Sequence, residues 1–329
     1  MKKLLMGALI LATSIFFTAC GGSKEENAED KKYTLKVGIS VGDKDPMYSG
    51  LMEFKKNVAE KTDGNVIIEV YPSGQLGSNE DLIEQAKLGA NVGVITDSGR
   101  LSEFVKEIGV TSVAYVAKDY DEMKKVIETP LFNSYLTKLN EHGLEVLSFN
   151  WYQGARHFWT NKKIETPEDL NGLLVRTPGQ PAWRESIAAL GATPTALPWN
   201  EVYPAMQQKV IDAFEAQTTA VYSASLQETV KYVAKTGHFQ LMTGIAIGSD
   251  WMNQLPEEYK TIVKEEAKKA GEFASKETLE VTEKYENEMK EKGLEVIDVD
   301  VDLFREKAMK AMIKLGYEKE YNELKGQIK

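Results

Sequence analysis

The chain has 329 residues, 42% hydrophobic and 27% charged, with a formal net charge of −10, three histidines and one cysteine. That length suits two domains, each with its own core, and the acidic balance argues against nucleic acid, whose phosphates need a Lys/Arg surface. One Cys excludes a disulfide framework and a multi-thiolate metal centre, and His142, His157 and His238 are too scattered for a histidine-based zinc site.

Lys2 and Lys3 precede an uncharged apolar stretch from Leu4 to Phe17, and Thr18-Ala19 leads into Cys20. A membrane-spanning helix needs about 20 apolar residues, so a cleaved signal is expected over residues 1–19. The segment resembles a bacterial lipoprotein signal, which implies lipidation of Cys20; Phe17 stands where that pattern prefers Leu. Residues 20–32, with Gly21-Gly22-Ser23 and a charged run to Lys32, read as a polar tether. Loss of residues 1–19 removes two lysines and no acid, taking the net charge from −10 to −12. The folded part is then expected outside the cytoplasm, in the periplasm or at the outer face of the cell membrane, held by acyl chains.

Tyr33 to Ser40 alternates like a strand, and Met47 to Lys61 reads as a helix with Leu51, Phe54, Val58 and Ala59 on one face. Val66 to Tyr71 is a second strand, Asn79 to Leu88 a helix, and Val92 to Ile95 a short apolar strand. This alternation predicts an α/β fold with a mostly parallel sheet, whose ligands gather at the strands' carboxyl ends. A second unit begins near Gln153. Thr166-Pro167-Glu168-Asp169 is a helix start, Leu173 to Arg176 a strand, and Trp183 to Leu190 a helix ending at Gly191. Trp199 to Lys209 and Thr218 to Val233 read as helices around a strand at Val210 to Phe214, and Gly237 to Ile247 as a returning strand. No proline follows Pro256. Glu257 to Lys292 therefore reads as one helix of about 50 Å lying across both domains, with Ile262, Ala270, Phe273 and Val281 at helical spacing and Gly271 as its weak point.

There is no H-E-x-x-H pair, G-x-G-x-x-G fingerprint or phosphate-binding Gly-rich Lys loop. A histidine-based acid–base pair such as His157 with a nearby carboxylate stays open, but a non-enzymatic role is expected.

Three stretches carry a resemblance. YPSGQLG (Tyr71 to Gly77), TPEDLNGLLVRTPG (Thr166 to Gly179) and LPWNEVYPAMQQKVIDAFE (Leu197 to Glu215) are together similar to the solute-binding proteins of TRAP (tripartite ATP-independent periplasmic) transporters. The resemblance runs from Tyr33 into the C-terminal helices. It implies a two-lobed α/β clamshell with crossing hinge strands and a long helix spanning both lobes. Lobe I would hold residues 33–152 plus about 240–281, and lobe II residues 153–239 plus about 282–329. It further implies a monomeric receptor without cofactor that captures a small carboxylate by hinge closure. The receptor would deliver that solute to integral-membrane TRAP subunits driven by an ion gradient. A receptor for an ATP-driven importer or a sensor kinase is the alternative.

By that resemblance the ligand's carboxylate falls to Arg176, in its V-R-T-P setting, because guanidinium presents a planar fork that matches a carboxylate bidentately. Arg156 would be a second pocket arginine, Asp97 an acid of the first domain facing the pocket, Trp199 an aromatic wall and Glu215 a polar group flanking the ligand. Ser40, Asn79, Gln180, Trp183 and Gln217 are further lining candidates. Ala216, where sialic acid binders of the family carry Asn, and the Gly179-Gln180-Pro181 edge count against sialic acid. Asp97 and Glu215 beside an arginine suit a zwitterion, so an amino acid is the expected ligand. Sugar hydroxyls, or a metal bridging to a keto acid, stay open.

Overall fold

A computed structural model describes residues 31–328; the signal, Cys20 and residues 20–30 of the tether lie outside the described residues. Alternation of β-branched and polar side chains makes Tyr33–Gly38 (β1) and Val66–Tyr71 (β2) parallel neighbours, with Val92–Asp97 (β3) on the other edge of β1. Later in the chain, Leu174–Thr177 (β6) pairs in parallel with both Thr193–Ala196 (β7) and Ala213–Gln217 (β8). Between these two parallel groups run Trp151–Thr160 (β5) and the 17-residue Tyr232–Gly248 (β9), antiparallel to each other and to their outer neighbours. One sheet therefore runs β2-β1-β3-β9-β5-β8-β6-β7, with short Leu144–Val146 (β4) and Glu295–Ile297 (β10) at the two ends of β9. The expectation of a mostly parallel sheet holds for each half and fails at the centre.

Helices cover both faces of each half. The first half carries Pro46–Lys61 (α1), Asn79–Lys87 (α2), Ser98–Leu101 (α3), Tyr120–Ile127 (α4) and Pro130–Lys138 (α5). The second carries Pro181–Ala189 (α6), Val202–Gln207 (α7) and Thr218–Ser223 (α8). Ser249–Asn253 (α9), Glu257–Glu291 (α10), Val301–Leu315 (α11) and Glu318–Gln327 (α12) complete the chain. Starts follow the expected chemistry: Asp45 and Thr129 cap α1 and α5 just before Pro46 and Pro130, and Ser78 forms a reciprocal capping box with Asp81. Thr166-Pro167 also forms its capping box, but only a four-residue 3-10 turn follows.

Two expected helices are shorter than their composition suggested. Thr218 to Val233 is helical only to Ser223, because Ser225 turns left-handed at φ 54° and Tyr232 onward is drawn into pairing with β5 and β10. Trp199 to Lys209 divides into a 3-10 turn at Trp199–Glu201 and α7, and Lys209 ends the run at φ 57°. The strand expected at Val210 to Phe214 starts later, at Ala213.

The 35-residue α10 is unbroken and spans both halves. Val263, Ala267, Ala270 and Ala274 join the core of Leu35, Phe54, Trp151 and Ile245, whereas Met289 joins that of Trp159, Val202 and Phe214. Its buried stripe consists mainly of small residues, and Phe273, expected inward, is 48% exposed. Gly271 is the point of closest approach: a Cβ there would lie 2.5 Å from Asn150 Oδ1 and 2.9 Å from Trp151 Cδ1. The glycine that seemed a weakness lets the helix lie against the start of β5. Gln153 lies inside β5, at a register shift between Tyr152 and Gly154, and α12 returns to α4 and α5, with Leu324 in the first half's core.

Candidate ligand-binding cleft

The carboxyl ends of β1 and β3 face those of β6 and β8, and β5 and β9 form the floor between them. They enclose a narrow cleft with a cavity volume of about 50 Å³. Ser40, Asn79, Asp97, Arg156, Arg176, Trp183, Trp199 and Gln217, all singled out from sequence, line it.

Arg176 sits next to last in β6 and is 2% exposed. Its Nε donates to Leu197 O at 2.9 Å, and its guanidinium lies 5.5 Å from the centre of the Trp199 ring. Among the described residues no carboxylate lies within 4 Å of it, and no protein acceptor takes its two terminal nitrogens. Burial pushes its pKa down to about 9 against the pull of Glu215, with Arg156 and Arg100 adding to the fall. A buried cation without a partner costs several kcal/mol, and an anion in the cleft would relieve that cost.

Arg156 is different because its partners are built in. Its Nε and Nη2 hold the Glu215 carboxylate, Nη2 also donates to Glu215 O at 2.7 Å, and Nη1 donates to Gln217 Oε1 at 2.8 Å. The guanidinium stacks 4.9 Å from the centre of the Trp183 ring. Glu215 is fully buried in mid-strand and also accepts from Thr177 Oγ1 at 2.9 Å. Burial alone would raise its pKa; Arg156 and His238 outweigh burial and hold it at about 2. Glu215 is thus a counter-ion behind the cleft wall and does not flank the ligand position as expected. Gln180 is the second correction: it caps α6 outside the lining, and its Nε2 donates to Glu80 and Glu103, each at 3.2 Å.

Asp97 lines the cleft but is occupied. The strand expected to stop at Ile95 continues through it. Its Oδ1 accepts from Arg100 N at 3.1 Å and Trp183 Nε1 at 3.3 Å, while Oδ2 takes Arg100 Nη1. Arg100, which sequence reasoning missed, also donates from Nε to Glu80 at 2.8 Å; burial works against its charge, and the two acids nonetheless hold its pKa above the usual arginine value. The i, i+3 spacing of Asp97 and Arg100 was its available signal. Gln153 and Thr243 were missed too. Gln217 Nε2 donates to Gln153 Oε1 at 2.8 Å, and Gln153 Nε2 to Thr243 Oγ1 at 3.2 Å, forming an uncharged polar floor. No local sequence signal marks Gln153, which the register shift between Tyr152 and Gly154 sets in the floor.

The histidines do not form an acid–base pair in the cleft. His157 Nδ1 accepts from Gly237 N at 3.0 Å, no carboxylate lies within 4 Å among the described residues, and burial holds the ring neutral. His238 stacks 4.4 Å from Phe158, and its Nε2 lies 3.7 Å from Glu215. Among the described residues no group of three or more His, Cys, Asp or Glu side chains could hold a metal, and no helix is long and apolar enough to cross a membrane.

Two parallel half-sheets joined by crossing strands, a helix across both, and a cleft floored by amides with a bare arginine define a two-lobed solute receptor. Comparison with known proteins places it more closely: residues 37–323 match the bacterial extracellular solute-binding proteins of family 7, and the chain belongs to that family. A TRAP periplasmic solute-binding protein of Escherichia fergusonii, in an apo open structure, is 40% identical, with a TM-score of 0.79 and coverage of 89% of this chain and 99% of that one. A TRAP solute-binding protein of Ochrobacterium anthropi with bound L-fuconate is 32% identical, with a TM-score of 0.88 and coverage of 91% and 100%. The sialic acid-binding periplasmic protein of Vibrio cholerae is 26% identical over 85% of this chain and 87% of its own. The protein is an extracytoplasmic solute receptor of the TRAP type, in a family of binding proteins rather than enzymes.

Proposed function

We propose that the protein captures a small hydroxylated monocarboxylate by closing its lobes, and passes it to the membrane subunits of an ion-gradient-driven TRAP transporter. The observation that carries this reading is Arg176: one buried guanidinium aimed into the cleft without a counter-ion, beside a lining of amides and hydroxyls. The other two arginines, Arg100 and Arg156, already hold acids. One free positive charge suits one carboxylate, and Gln153, Gln217, Asn79, Ser40 and Thr243 suit hydroxyls. An amino acid is less favoured than its sequence suggested, because both Asp97 oxygens are engaged. L-Fuconate, bound by the 32% identical relative, belongs to the favoured class. The lobes meet along β5 and β9, with α12 assigned to the first lobe. Cys20 is the proposed lipid attachment point, which leaves the receptor anchored at the membrane.

A thermal-shift and calorimetric screen should find hydroxy monocarboxylates such as L-fuconate binding, with dicarboxylates, amino acids and phosphate monoesters weaker. Arg176→Ala should weaken the best ligand at least tenfold, as expected from loss of a charge-assisted pair worth roughly 1.5–3 kcal/mol. Equal binding by wild type and Arg176→Ala would refute the assignment.

A further inference from the structure

Asp45 is a buried acid that solute binding does not use. It caps α1 with Oδ1, which accepts from Met47 N at 2.9 Å, while Oδ2 has no hydrogen-bond partner and the residue is 1% exposed. Two other elements close over it. From α8 the Thr219 hydroxyl faces the carboxyl without a bond of normal length, and from α10 comes the carboxylate of Glu277. Glu277 accepts from Ser49 Oγ at 3.4 Å through one oxygen and has no partner at the other. Tyr285, also on α10, donates to Lys44 O at 3.3 Å and lies within the field of both acids and Glu288. No cation among the described residues pairs with Asp45 or Glu277. Burial, reinforced by the like charge of Glu277, raises the Asp45 pKa to about 6. Burial also raises that of Glu277, with Glu280 adding to the rise.

The chemistry has a simple solution. A proton on Asp45 Oδ2 turns an orphan acceptor into a donor, in surroundings where Thr219 Oγ1 and Glu277 Oε2 also lack partners. The position matters as much. Asp45 follows the β1 end that carries Ser40 into the cleft, and Thr219 follows the β8 end that carries Gln217 into it from the opposite half. An opening that separates these strand ends would draw Thr219 away from Asp45 and admit water.

We propose that Asp45 is a proton-sensitive latch on the closed form, protonated between α8 and α10 when the cleft is shut and ionised when it opens. The proposal rests on the hinge-closing reading above. The sign follows from the raised value: closure is favoured at low pH, and that advantage is lost as pH rises through about 6. If the opened carboxyl titrates as an ordinary Asp, the closed-to-open ratio falls by about fiftyfold between pH 4 and 7. Burial pushes His157 and His238 below the ordinary imidazole value, and Arg176, which falls only to about 9, stays charged around that midpoint.

The test is a pair of spin labels in the full chain carrying Cys20→Ser, with Lys56→Cys on α1 and Gln207→Cys on α7, both exposed positions. Label distances read from pH 5 to 8 without solute should show a short population that shrinks as pH rises. Asp45→Asn should flatten that response, and Glu277→Gln, which removes the like charge, should move its midpoint to lower pH even if Asp45→Asn folds poorly. An unchanged midpoint in Glu277→Gln, or a full pH response in folded Asp45→Asn, overturns the latch. Closure driven by L-fuconate with no pH response in wild type would sink the latch and leave solute capture standing. A label distance that never changes would sink both.

Discussion

Arg156 and Arg176 lie on strands that flank β8, and their partners set them apart. Arg156 is satisfied by Glu215 and Gln217, so it shapes the wall; Arg176 is left for a ligand. Glu215 therefore matters for folding more than for contact. Glu215→Gln removes the counter-ion of a buried guanidinium, and should cost about 3–5 kcal/mol in urea unfolding at pH 7. Because the folded pKa of Glu215 is depressed to about 2, the stability it supplies is present above about pH 4.5 and lost as pH falls toward 2. The gap between wild type and Glu215→Gln should accordingly close over that interval; a gap independent of pH would mean the pairing contributes nothing. Motif context was enough to bring Arg176, Trp199 and Asp97 to the cleft lining. It could not separate a cleft residue from one directly behind it, which is why Glu215 was misplaced. Gln153 and Thr243 were invisible because they meet only through the pairing of β5 with β9.

At the scale of elements, local signals were read well and distant pairing was not. β2 was placed to the residue, and α1 and α2 to within one, because caps, prolines and apolar spacing are all local. The first two residues of β9, Tyr232 and Val233, were read as helix, since Val230 to Ala234 carries no local break; their strand state comes from β5 and β10, remote in sequence. In α10 the absence of proline revealed the length, but the packed face depends on what lies beneath. Gly271→Ala tests that face. Helix propensity alone favours the change by about 1 kcal/mol, yet the new Cβ would meet Asn150 and Trp151, so net destabilisation of about 1–3 kcal/mol is expected. Gly326→Ala in α12, where nothing lies within 4 Å of the new Cβ, should instead be neutral or slightly stabilising. Chemical denaturation of both variants decides the matter, and a stabilising Gly271→Ala would remove the close-packing explanation.

For the whole molecule, the proposed anchor raises the question of how an acidic body would be held at a membrane. Its net charge of −10, or −12 without residues 1–19, repels anionic lipid, and among the described residues no helix is apolar and long enough to span a bilayer. Under the proposed lipid attachment at Cys20, attraction would come from acyl chains, whose contribution scales with buried methylenes and is indifferent to salt. Electrostatic docking would be screened over about 8 Å at physiological ionic strength and weakened further in a salt wash. These two modes predict opposite results. Cells expressing the wild type should retain the receptor in the membrane fraction through a 1 M salt wash, where the screening length is only about 3 Å. The Cys20→Ser receptor should leave that fraction while still binding the same solute, because the cleft lies wholly within residues 39–243. Retention of Cys20→Ser, or release of wild type by salt, would replace the acyl anchor with a protein or lipid-headgroup contact.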